Sequence, residues 1–169
     1  SCTTGPDNPD CIPTYPAGRG CMESVANGTQ PNSRHTYDGI IYLPQVDRMF
    51  VYGGGPACVL GSGSSGTWTF DFGTKQWQRM RPTGPLPRDY IVAGDYDPVT
   101  HMVYLTDQRC LYAYDVAADR FAQVYAHYNN CQSEYRVSYH ATGVIDPVRR
   151  QLFIFGGGDS WVWDIPSSL

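Results

Sequence analysis

The chain has 169 residues and a net charge of −4, a size that suits one domain and a balance with no basic block, which argues against nucleic acid as the main partner. Hydrophobic residues make up 41% and charged ones 17%, so a packed core is available, and no apolar run approaches the roughly 20 residues that span a bilayer as a helix. Aromatics reach 14% beside 18 Gly and 13 Pro, a mixture that favours an all-β protein.

Residues 1–21, SCTTGPDNPDCIPTYPAGRGC, have no period of 2 or 3.6, and Pro and Gly interrupt them throughout. They read as an irregular arm pinned by cysteines. Residues 22–33 read as an outer strand at 22–26 and a link. Three similar units then follow, at 34–86, 87–136 and 137–169. Each has a proline after its first strand: Pro44, Pro98, Pro147. Each continues with a hydrophobic strand, at 49–52, 102–105 and 152–155. Each then has an aromatic-x-aromatic-Asp phrase ending at Asp71, Asp115 or Asp164. Six residues beyond that Asp stand Trp77 in the first unit and Phe121 in the second. The period is about 50 residues with four short strands per unit. The third unit has three of these strands. Alternation supports the strands: Trp68, Phe70 and Phe72 share one face. No segment carries a helical stripe.

The glycine doublets, the aromatic phrases ending in Asp and the later Trp together resemble the kelch motif. NSRHTYDGIIYLPQVDRMFVYGGG is similar to secreted bacterial kelch-like proteins related to the galactose oxidase propeller domain. The resemblance covers about residues 24–165. It implies a portion of a kelch-type β-propeller: about three four-stranded blades, the last lacking its outer strand, behind a disulfide-pinned arm. Propellers close with four to eight blades. Three would leave an open arc, exposing Trp161 and Trp163. The expected remedy is further copies or a second chain, with the strand at Ser24 and Val25 of one copy pairing with strand 161–165 of the next. The alternative is that the sequence is a piece of a longer chain.

The glycine runs at 53–55 and 156–158 are followed by no Lys and no helix, so they read as turns and close backbone approaches rather than phosphate loops. Arg34, Arg88 and Arg136 open the units, with Tyr37, Tyr90 and Tyr139 close behind; such sets bind sugars or acidic segments, or tie blades together. His35 and His140 enter first strands, which line the channel of a propeller. The motifs carrying the oxidase's copper ligands are not present, so neither cofactor nor metal is expected. Glu23 and Glu134, the only glutamates, have no evident partner for glycosidase chemistry.

Cys2, Cys11, Cys21, Cys58, Cys110 and Cys131 include no Cys-x-x-Cys pair. Their even number and the sequon at Asn27 point to an oxidising compartment, hence a secreted or surface glycoprotein. Cys110 is expected to pair with Cys131, closing a loop of about 20 residues. Cys58 then takes one head cysteine, and the other two join each other. The functional expectation is a non-catalytic extracellular binding or assembly module with a glycan or protein ligand. The alternatives are a carbohydrate-active or copper-dependent oxidase-like enzyme whose site forms only in the full ring, and a structural subunit of a surface filament.

Overall fold

The computed structural model describes residues 11–12, 21–57, 63–88, 90–91, 93–126, 137 and 140–168. They form an all-β structure with one 3-10 turn at Ala26–Gly28. Among them no helix is long and apolar enough to cross a membrane.

Within residues 1–21, most of which lie outside the described residues, β1 (Cys11–Ile12) pairs antiparallel with β2 (Cys21–Met22). The strand expected at 22–26 is shorter. β3 (Ser24–Val25) turns through Asn27, at φ 59°, and pairs with β4 (Gln30–Pro31). β5 (Arg34–His35) precedes the first sheet, in which β6 (Ile40–Leu43), β7 (Arg48–Tyr52), β9 (Thr67–Asp71) and β10 (Gln76–Met80) run as an antiparallel meander. β8 (Gly55–Pro56), in the β7–β9 connection, folds back onto β5. Sheet II is the meander β11 (Ala93–Asp97), β12 (Met102–Thr106), β13 (Cys110–Asp115) and β14 (Arg120–Ala126). Sheet III has three strands: β15 (Ala141–Asp146), β16 (Gln151–Gly156) and β17 (Asp159–Asp164).

The recurring prolines and aspartates are turn chemistry. After Pro44, Pro98 and Pro147 the chain reverses through a residue of positive φ: Asp47 (48°), His101 (58°) and Arg150 (58°). The Asp97 carboxylate accepts the amide N–H groups of Val99 and Thr100, and Asp146 those of Val148 and Arg149. Asp71 and Asp115 do the same in the next hairpins, for Thr74 and for Ala117 and Ala118. Asp suits these places because its short side chain caps the turn without an extra residue.

The sheets stack face to face, and each uses equivalent positions. Ile41, Leu43, Phe50 and Tyr52, the front of sheet I, pack on Val103, Leu105, Tyr112, Tyr114 and Phe121, the back of sheet II. Ala93, Tyr104, Leu111 and Ala113, the front of sheet II, pack on Ile145, Leu152, Ile154 and Trp163, the back of sheet III. Counted from the turn prolines, Phe50, Tyr104 and Phe153 are equivalent, as are Val51, Leu105 and Ile154. The inner strands come close where β15 crosses β11: a Cβ on Gly143 would lie 2.9 Å from the Gly94 nitrogen.

This stacking changes one expectation. Alternation along β17 turns Trp161 and Trp163 toward sheet II, and Trp163 is 4% exposed. Val162 between them faces solvent. The open surface of sheet III is therefore its front: Val144 (59% exposed), Phe153, Phe155 (72%) and Val162. Val144, Phe153 and Val162 lie in one cross-strand row.

A bidentate ion pair clasps sheets II and III. Arg150 Nη1 and Nη2 donate to the two oxygens of the fully buried Asp97 at 2.6 and 2.7 Å. Burial alone would push the Asp97 carboxyl up. The bonds from Arg150, from Thr100 and from the turn amides outweigh it and hold the carboxyl below its ordinary range. A depressed carboxylate stabilises the fold above its unfolded pKa of about 3.9, and that contribution is lost as pH falls through the folded value. Denaturant titrations across pH are expected to show wild-type stability falling below about pH 4, with a shallower fall in Asp97→Asn.

Candidate functional site

The residues that precede the three inner strands converge at one end of the stack. Asp38 fastens them: its Oδ2 accepts the Gly94 N–H at 3.0 Å and the Gly143 N–H at 2.8 Å, and its Oδ1 accepts the Thr142 hydroxyl at 3.0 Å. One carboxylate of sheet I thus reaches both other sheets. Burial raises the Asp38 pKa above the ordinary carboxylate value; the three bonds oppose this, and Asp95 nearby adds to it.

Four rings gather on this end. His35 and Tyr37 stack with centroids 4.1 Å apart and planes at 22°. Tyr90 meets Tyr37 edge-on at 5.6 Å, and His140 meets it at 6.4 Å. Each sheet's entry segment contributes at least one ring. His35 and His140 are exposed, while Tyr37 and Tyr90 are half-buried. Tyr37 sits at φ 56°, a left-handed conformation that costs a bulky residue on the order of 1–3 kcal/mol. The Gly39 N–H bond to the Thr36 carbonyl closes the turn that holds it there. The platform combines flat apolar faces with hydroxyl and imidazole edges, so it can stack on a ring or apolar segment and hydrogen-bond at its rim.

Of the residues singled out in the sequence, His35, Tyr37, Tyr90 and His140 are thus brought together. His35 lies in the β5–β8 ribbon and His140 just before β15, so neither is inside an inner strand. Arg136 and Tyr139 lie outside the described residues. Arg88 is exposed, and its backbone N–H donates to Asp107.

Arg34 plays another part: it is buried. Its Nη2 lies 2.7 Å from Glu23 Oε1, with side-chain exposures of 4% and 3%. The guanidinium also donates to the carbonyls of Glu23, Asn32 and Gly53. Glu23 further accepts the Trp68 indole N–H at 2.8 Å and the Ser64 hydroxyl. This network seats the 22–34 segment on the back of sheet I. Nothing in the sequence tied Glu23 to Arg34, because the pairing depends on how the β3–β4 hairpin packs. The carboxylate is saturated by donors, which suits a latch and not an acid-base catalyst.

Cys110 is disulfide-bonded, and among the described residues no cysteine is free. Cys2, Cys58 and Cys131 lie outside the described residues, as do the side chains of Cys11 and Cys21, so the Cys110–Cys131 pairing remains an expectation. Asn27 and Thr29 of the sequon are exposed on the β3–β4 turn. Among the described residues no three His, Cys, Asp or Glu side chains gather as a metal site would require. In comparisons with known proteins, no family model matches the chain, and no curated protein is significantly similar to it.

Proposed function

We propose that the chain is a portion of a kelch-type β-propeller, and that it works as an extracellular, non-catalytic binding or assembly module whose ring is completed by a second copy. The observation that carries this is the exposed apolar surface at both ends of the stack: the front of sheet III, and the part of the back of sheet I that the 22–34 segment leaves uncovered. The front of sheet III exposes Val144, Phe155 and Val162, and the back of sheet I exposes Ile40 and Tyr42. Fronts and backs at the same strand positions are buried against each other at both junctions inside the chain. Exposed apolar side chains grouped on one sheet face mark interaction surfaces. A front-to-back contact between copies repeats the internal stacking, and a head-to-tail contact closes a ring when its rotation allows. Two copies supply six sheets, the multiple of three that falls within four to eight.

The disulfide at Cys110 and the accessible sequon support an oxidising, extracellular setting. The aromatic platform favours ligand binding at one end of the module, with a glycan or protein segment as the ligand class. Particle shape tests the ring. Electron-microscopy class averages are expected to show six radial sheets about an axis; arcs of three sheets contradict it.

A further inference from the structure

Where sheet I meets sheet II, Tyr52 acts as a knob. Its hydroxyl donates to the Pro87 carbonyl at 2.7 Å, and its ring lies 5.3 Å from Phe121 at 76°. Val103 and Leu105 complete the core around it. The back of sheet I carries the same construction, with no occupant among the described residues. A cavity of about 300 Å³ opens there, lined by Ser33, Thr36, Ile40, Met49, Val51 and Trp77 among others. Four of these residues are the repeat equivalents of the Tyr52 socket. Ser33 stands where Pro87 does relative to the turn proline, and Met49 and Val51 stand where Val103 and Leu105 do. Trp77 follows Asp71 by the interval at which Phe121 follows Asp115.

The equivalent of the knob is Phe155, which stands at the same distance after Pro147 as Tyr52 does after Pro44. It is 72% exposed on the front of sheet III. The chemistry agrees in a further detail. Tyr52 needs its hydroxyl because the Pro87 carbonyl lies in its socket; the Ser33 carbonyl already accepts the Ala57 N–H, and Phe155 brings no donor.

We infer that Phe155 of one copy seats in the Ser33–Met49–Val51–Trp77 socket of the next, so that the knob-and-socket contact between sheets I and II is repeated between chains. The inference rests on the proposed ring and specifies the contact that closes it. Burying an exposed Phe in an apolar socket accounts for a tenfold to hundredfold change in association.

The test uses sedimentation velocity across concentration on the full chain, on Phe155→Asp and on Ile40→Lys. Both positions are more than half exposed, so melting curves like the wild type's are expected. Each variant alone is expected to self-associate at least tenfold more weakly than the wild type. Mixed in equal amounts, they are expected to associate more strongly than either alone: one junction keeps the native Phe155–Ile40 contact, and the other sets Asp against Lys. Variants that assemble like an oligomeric wild type overturn the socket and leave the ring standing. A mixture no better than its components overturns the head-to-tail contact. A monomeric wild type overturns both.

Discussion

Replacing Arg34 with methionine is expected to lower stability by about 3–5 kcal/mol, the range for removing one member of a buried ion pair. The size follows from what is left behind. Glu23 is 2% exposed, and among the described residues its carboxylate would keep the Trp68 and Ser64 donors after losing its counter-charge. The Glu23, Asn32 and Gly53 carbonyls would lose their guanidinium donors as well. The double variant Glu23→Gln/Arg34→Met removes the stranded charge and is expected to recover part of the loss, because replacing a whole buried pair costs far less than breaking it. Urea titration of the two variants measures both. A loss below about 1 kcal/mol for Arg34→Met would mean that the pair is not closed to water.

The second large effect is expected at Gly54. Its φ of +90° is one that side-chain-bearing residues rarely adopt, and a Cβ there would lie 2.6 Å from the His35 carbonyl oxygen and 3.0 Å from the Thr36 Cα. Both obstacles are backbone and cannot swing aside. Gly54→Val is expected to cost about 2–5 kcal/mol, strain and overpacking together. Gly158 provides the control inside the same chain: φ is +95°, yet nothing lies within 4 Å of its Cβ position. Gly158→Ala therefore meets the conformational penalty alone, about 1 kcal/mol. Equal losses at the two sites would remove the close approach of the β5–β8 ribbon from the account. The comparison also bears on the aromatic platform, since the ribbon that crosses Gly54 carries His35 and leads into Tyr37.

What the sequence made legible is local. Pro44, Pro98 and Pro147, and the Asp that closes the first two aromatic phrases, Asp71 and Asp115, mark hairpin turns, and a hairpin is set by residues a few positions apart. The meanders are readable for that reason, down to the sharing of one face by Trp68 and Phe70. The convergence of His35, Tyr37, Tyr90 and His140 was also within reach, because equivalent places in successive repeats fall at the same end of the stack.

What was not legible depends on which face is covered. Alternation places Trp161 and Trp163 on one side of β17 but does not say whether that side meets sheet II or solvent; it meets sheet II. Arg34 and Arg88 occupy equivalent positions, yet one is buried and the other exposed. The difference lies in the segment ahead of each: 22–33 brings Glu23 to the first, whereas the residue at the same interval before Arg88 is Trp77, which carries no charge. The β1–β2 and β3–β4 ribbons, two residues per strand, are too short to leave a periodic signal.

The central claim is that the front of sheet III and the back of sheet I are two halves of one repeated contact. Light scattering on the purified chain tests it most directly. The account predicts a particle of twice the 18.8 kDa chain mass, held over a wide range of dilution. A particle of a single chain mass up to the highest soluble concentration would contradict it.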